Sequence, residues 1–167
     1  MSWAARAALA VALVGAAAFG FACSDDGGSL TLDDYFSKLQ KLDDQFEEDS
    51  AKLDAAFESE DLDEIKSAFE SGTESAGDFV DDLDALEAPD EAKEIHEEAV
   101  AAGNELVDAL KDMNDAIQDA DSPDALATID FDPVGTASER FNGACLDLEA
   151  LAADKDIELD LNCEEAS

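Results

Sequence analysis

The 167-residue chain is predicted to be all-α: an antiparallel helical bundle of about four helices with a short extended C-terminal tail. Three observations carry that prediction. Apolar residues recur at steps of three and four through several long stretches, which is the mark of one buried face on a helix. A capping hydroxyl or a proline followed by acids stands at the head of such stretches, as helix starts require. A period-two alternation, the mark of extended chain, appears at the C-terminal end.

Taken from the N-terminus, Met1 to Ala22 has one positive charge, Arg6, then an uncharged run of Ala, Val, Leu and Phe from Ala7 to Ala22. That is the organisation of a secretory signal peptide over residues 1–22, and the run is too short and too rich in Ala and Gly to favour a permanent span. Gly20-Phe21-Ala22 satisfies the small-x-small rule of ordinary signal peptidase, while Ala22-Cys23 resembles the end of a lipobox with Gly20 in place of its usual Leu and Phe21 in place of its small residue. Three cysteines in an exported chain leave one unpaired. Acylation of Cys23 removes the odd thiol and lets Cys145 and Cys163 form a disulfide, so a palmitate-type lipid anchor on Cys23 is the expectation. The polar, Gly-rich stretch that follows makes residues 23–30 a lipidated cysteine and flexible tether.

Residues 31–167 form the third unit, an acidic helical domain. Thr31 can cap a first helix over 31–58, with Asp33 and Asp34 in its first turn and Leu32, Tyr35, Phe36, Leu39, Leu42, Phe46, Leu53 and Phe57 on its apolar side. A second helix carries Leu62, Ile65, Phe69, Gly72, Ala76, Phe79, Leu83 and Leu86 in unbroken steps of three and four. Gly72 on that seam suggests a close helix approach there. Pro89 with Asp90 and Glu91 opens a third helix, whose stripe runs from Ala92 and Ile95 through Leu106 and Met113 to Ile117 and ends near Ala120. Ala125 to Pro133 reads as a connection with room for one helical turn. A fourth helix, about Gly135 to Asp154, turns Phe141, Cys145, Leu148 and Ala152 to one side, and Ile157, Leu159, Leu161 and Cys163 share a face of the tail. A reversal at Asp154-Lys155-Asp156 can bring Cys163 back alongside Cys145. Such a bridge fits an oxidising compartment. A redox dithiol lacks both the C-x-x-C spacing and a basic activator.

Charge sets the surface chemistry. Forty-five acidic residues against nine basic ones give a net charge of −36, and loss of residues 1–22 removes only Arg6. Such a surface repels nucleic acid and anionic headgroups, and it repels itself, so salt and divalent cations should stabilise the fold. Acidic groups such as Asp81-Asp82-Asp84-Glu87 with Asp90-Glu91, and Asp43-Asp44-Glu47-Glu48, could hold cations loosely, but no segment has the alternating acids, central glycine and closing glutamate of an EF-hand. The single histidine, His96, has Lys93 three residues before it, so no Glu-x-x-His pair for a di-iron centre exists, and it has no evident nucleophile for a triad. Zinc spacing and phosphate-cradling loops are likewise missing from the sequence. No catalytic residue and no cofactor is expected.

The Ala22-Cys23 end, the acidic tether, the seam leading to Leu86-x-x-Pro89 and the closing Cys145 and Cys163 together resemble uncharacterised bacterial helical-bundle lipoproteins. That resemblance implies location and architecture, since the group has no agreed activity to transfer. The expectation is therefore an exported protein, anchored to the cell membrane through its N-terminal lipid and facing outside the cytoplasm. It would act as a non-enzymatic interaction module for a basic or cationic partner. The alternatives are a low-affinity divalent-cation-binding or ion-responsive envelope protein, or a small-ligand carrier if the Phe-rich seams leave a cavity.

Overall fold

A computed structural model describes residues 30–59, 61–161 and 163, with the backbone alone for residues 47–59 and for Pro123. The expected signal peptide 1–22, Cys23 and the tether up to residue 29 lie outside the described residues. Among the described residues five helices follow one another: α1 (Leu32–Ser59), α2 (Leu62–Asp84), α3 (Lys93–Gln118), the single turn α4 (Pro123–Leu126) and α5 (Asp132–Asp154). The protein is an all-α bundle, and no strand occurs among the described residues.

Each boundary has a local cause. The Thr31 hydroxyl accepts the Asp34 amide at 3.2 Å and so caps α1. Asp61 caps α2 by accepting the amides of Asp63 and Glu64. At the head of α3, Pro89 starts a tight turn in which the Ala92 amide donates to the Pro89 carbonyl at 2.9 Å, and the helix proper begins at Lys93. The start of α5 differs from the sequence expectation. It begins at Asp132 rather than near Gly135, because Pro133 stands in the first turn, where its missing N–H costs nothing, and Asp130 accepts the Asp132 amide at 3.0 Å.

The C-terminal end of α5 shows how the chain reverses. Asp156 adopts φ 57°, a left-handed conformation that Asp tolerates better than most residues. The Ile157 amide donates to the Ala152 carbonyl at 2.9 Å and the Asp156 amide to the Ala153 carbonyl at 3.2 Å. This is a Schellman closure, and it turns the tail back along α5.

Packing follows the chain order. The start of α2 is clamped to the end of α3, since Lys66 donates to the Gln118 carbonyl at 2.8 Å and the Gln118 amide donates back to the Lys66 carbonyl at 3.0 Å. α1 rests on α2, α2 on α3 and α3 on α5, whereas α1 and α5 scarcely meet. The tail fills that seam. The Asp160 amide donates to the Gln40 side chain of α1 at 3.1 Å, and the Leu161 amide to the Glu149 carboxylate of α5 at 2.9 Å. Ile157, Leu159, Leu161 and Cys163 all join the core made by Tyr35, Phe36 and Leu39, while Glu158 and Asp160 stay exposed, as the period-two pattern requires. Cys163 is bonded to Cys145 across a Cα separation of 5.9 Å.

The disulfide closes a loop spanning 18 residues. Reduction, or the Cys145→Ser/Cys163→Ser double substitution, is expected to lower unfolding free energy by about 3 kcal/mol, the magnitude for loops of this size. Urea denaturation of oxidised and reduced protein at equal pH and salt measures it, and an unchanged midpoint would show that the disulfide contributes nothing to stability.

Candidate functional site

Between the four long helices lies a cavity of about 280 Å³. Its floor and walls come from the apolar stripes: Leu39 and Phe46 of α1, Ala76 and Val80 of α2, Ala99 and Val107 of α3, Leu148 of α5, and Leu161 with the Cys145–Cys163 bridge at the tail. The sequence explains why space remains there. Ala76, Ala99 and Gly103 put small residues into a lining otherwise made largely of Leu, Val and Phe, so space remains beside them.

Gly103 sets the closest approach. A Cβ built on it would lie 2.8 Å from Val80 Cγ2 and 3.4 Å from Phe141 Cε2, so the α2 and α3 backbones are held together there by the absence of a side chain. Gly72, expected at a tight crossing, is only half-buried, and Thr73 beside it is buried instead. The buried line of α2 passes through Ile65, Phe69, Thr73, Ala76, Val80 and Leu83. Phe79 is thereby moved to the flank, where its ring meets Phe46 at 5.2 Å and Phe141 at 6.1 Å between centroids. Three phenyl rings from three helices thus line one side of the cavity, at separations suited to tilted and edge-on contact.

The polar part of the lining is small and sits on one side. Asp43 comes from α1, and Ser138 and Asn142 come from α5, the two helices that the tail separates. All three are half-buried. Among the described residues Ser138 and Asn142 make no side-chain hydrogen bond. A few polar groups at the edge of an apolar hollow are the usual composition of a small-molecule site. A second hollow, between α3 and the α4 connection, has Met113, Ile129 and Val134 among its lining and Asp112, Asp119 and Asp130 at its edge, and it opens broadly to solvent.

His96 lies apart from the cavity. It is buried, 6% exposed, and its Nδ1 stands 3.1 Å from the hydroxyl of Tyr35, which is fully buried. The rings meet edge-on at 5.7 Å. Burial pushes the Tyr35 phenol well above its usual range and lowers the His96 imidazole, which the carboxylates of Asp84 and Glu97 partly offset. Tyr35 therefore stays protonated and His96 is held neutral, a satisfied polar pair joining α1 to α3. The pair packs α1 against α3. The sequence placed His96 beside the α3 stripe, and the structure puts it in the stripe, with Ile95 half-buried next to it.

Cys145 and Cys163 are brought together as the sequence expected, and Cys23 lies outside the described residues. Among the described residues no three His, Cys, Asp or Glu side chains converge to hold a metal ion, and no helix is long and apolar enough to cross a membrane. Comparison of the chain with protein-family models, curated proteins and solved structures finds no match.

His96 makes stability depend on pH with a definite sign. Its folded pKa lies below the ordinary value of 6.5, so the unfolded chain binds the extra proton first. Its contribution is present above 6.5 and is lost as pH falls through that value toward the lowered folded one. His96→Phe is expected to destabilise by about 1–3 kcal/mol at pH 7.5, because it leaves the Tyr35 hydroxyl buried without a partner. The gap between wild type and variant should narrow on acidification to pH 5. Parallel urea titrations at pH 7.5, 6 and 5 test this, and a constant gap would mean that His96 is not held neutral.

Proposed function

We propose that the protein is an exported, membrane-anchored carrier whose helical bundle binds a small apolar ligand in the four-helix cavity, without catalysing a reaction. The observation that supports this best is the cavity itself: 280 Å³ lined by Ala, Val, Leu and Phe, with its few polar groups gathered along the α1/α5 seam. An apolar cavity of ~150 Å³ accepts a benzene ring, so this one suits a body of about eleven carbon atoms by the same proportion. Its lining extends from Ala99 to Val107 along α3, about 12 Å at 1.5 Å per residue. An extended alkyl chain fits that shape better than a fused ring system. The anchor would be the acyl group on Cys23, and the tether 23–30 would let the bundle reach away from the membrane.

A second reading concerns the exterior. Lys93, Lys111, Arg140 and Lys155 are each paired with a nearby carboxylate, and Lys66 is held by the Gln118 carbonyl, so most of the basic side chains are occupied within an excess of acids. This favours an acidic surface that attracts a basic protein or cations, and it is compatible with an occupied cavity.

A chain-length series separates a cavity from surface adsorption. Titration with n-alkanols from four to fourteen carbons should show one-to-one binding that tightens about fourfold per methylene, the equivalent of ~0.8 kcal/mol for each CH₂ removed from water. It should level off near ten or eleven carbons, and Ala99→Leu should bring the plateau two or three carbons earlier. Calorimetry reads both, and affinity that rises without a plateau would end the carrier reading. Intact mass spectrometry of protein from a lipoprotein-competent host tests the anchor: a mature chain beginning at an acylated Cys23 is expected, and a free Cys23 thiol would remove the membrane tether.

A further inference from the structure

We infer that the hollow between α3 and the α4 connection is a docking groove for a partner protein, which enters it as a short basic amphipathic helix. The inference gives the acidic-surface reading a place and a partner and rests on that reading for the partner's charge; it does not depend on the four-helix cavity. Within the lining Met113 and Ala120 are buried, Ile129 and Val134 are half-buried, and Ala109 and Ala116 add little bulk on the α3 side. Phe131, which stands in the chain between the lining residues Asp130 and Pro133, is the one large hydrophobic side chain exposed among the described residues, at 47%. An apolar groove with an exposed aromatic beside it offers a partner's apolar face both a trough and an anchor.

Shape favours a helix as the occupant. The groove follows α3 from Ala109 to Ala120, about 16 Å at 1.5 Å per residue, the length of about three helical turns. No strand occurs among the described residues, so no sheet edge is there to pair with an extended peptide, whereas a helix brings its backbone groups already satisfied. Charge sets the sign of the partner. Asp112, Asp119 and Asp130 stand exposed at the edge, and no basic residue belongs to the lining. Asp130 accepts the Asp132 amide with one oxygen, while the carboxylates of Asp112 and Asp119 have no partner among the described residues. Lys111 and Lys66, the basic side chains nearest to them in the fold's connections, are engaged by Asp108 and by the Gln118 carbonyl. Asp112 and Asp119 are separated by about 10 Å along α3, so basic residues two turns apart on the partner's flank can meet both. A second copy of this chain, itself at −36, would set acids against acids. Residues 24–29 and 164–167 of the chain carry acids and no base, so they do not complement the edge either.

The test uses the full chain carrying Cys23→Ser, which removes the acylation site so that binding can be measured without detergent. The probe is a synthetic amphipathic peptide of about fifteen residues with Leu along one face and Lys on its flanks, compared with a scrambled peptide of the same composition. Calorimetry at low salt should show one-to-one binding of the amphipathic peptide, at least tenfold tighter than the scrambled one. Asp112→Asn/Asp119→Asn should weaken it about fivefold, the scale of two exposed ion pairs. Phe131→Ala, at an exposed position whose side chain caps nothing, should weaken it at least threefold. Glu70→Gln/Glu74→Gln removes the same charge from the exposed face of α2 and should leave the affinity within twofold. Equal binding of the two peptides, or equal loss from the two charge pairs, overturns the groove and leaves the acidic-surface reading standing. Failure of both peptides to bind at low salt overturns that reading as well. Sedimentation should show the free chain as a monomer; a dimer that Phe131→Ala dissociates would assign the groove to a second copy and overturn the proposal.

Discussion

The bundle depends on how the seam between α1 and α5 is closed. In a four-helix arrangement with neighbours joined in order, the first and last helices normally complete the ring by packing on each other. Here they are held apart, and the strip from Ile157 to Leu161 lies between them, giving one backbone amide to Gln40 of α1 and the next to Glu149 of α5. An extended segment inserted between helices exposes backbone polar groups that no ladder satisfies. These two side-chain acceptors and the disulfide to Cys145 are what make the insertion tolerable. The hollow follows from the same geometry, since an extended segment that buries Leu161 fills less space than a helix face would.

Small side chains contribute the other half. Alanine is favourable in helices and leaves no polar atom to satisfy, so a core of Ala76, Ala99, Ala102, Ala144 and Ala152 forms helices readily. It buries less apolar area per residue than Leu or Ile would. The heavier anchoring is placed at the two ends: Tyr35, Phe36 and Leu83 at one, Phe69, Met113 and Ile117 at the other. In the middle, Gly103 lets α2 and α3 close in beside Ala76, Val80 and Val107. Stability at the ends and space in the middle are compatible for that reason.

The helices were legible because their apolar spacing is long and regular, and the tail because its period changes at Ile157. Thr31 as a cap and Cys145 facing the core followed from rules that act within a few residues. The start of α5 was not legible, since a proline after a weakly patterned stretch suits the end of a loop as well as the first turn of a helix. The buried line of α2 was read one residue off at Gly72 and Phe79, because a strict three-four count does not say which way a stripe drifts along a straight helix of 3.6 residues per turn. The cavity was beyond reach for a different reason. Sequence periodicity reports which side chains point inward, whereas the space left over depends on how closely whole helices approach, and that is decided jointly by Gly103, Val80 and a tail sixty residues away.

The acidic charge also shapes the bundle's weak points. Acids occupy the first turns of α1, α2, α3 and α5, where they complement the helix dipole, but no basic residue stands in any of the last turns. Backbone amides meet several of the C-terminal carbonyls, as Ala85 on Asp81, Asp119 on Asp115 and Ile157 on Ala152 show, and Lys66 of α2 reaches the Gln118 carbonyl at the end of α3. Acidic side chains stand at those ends, Asp84, Asp119 and Asp154 among them, so each terminus adds a negative charge to the negative pole of a dipole. Mobile cations of the medium offset this repulsion without a fixed partner, and their effect falls off within about 10 Å at moderate salt. The acidic exterior therefore couples the bundle's stability to its ionic surroundings at the helix ends, while the hollow between the helices is lined mostly by apolar groups that carry no charge for those ions to screen.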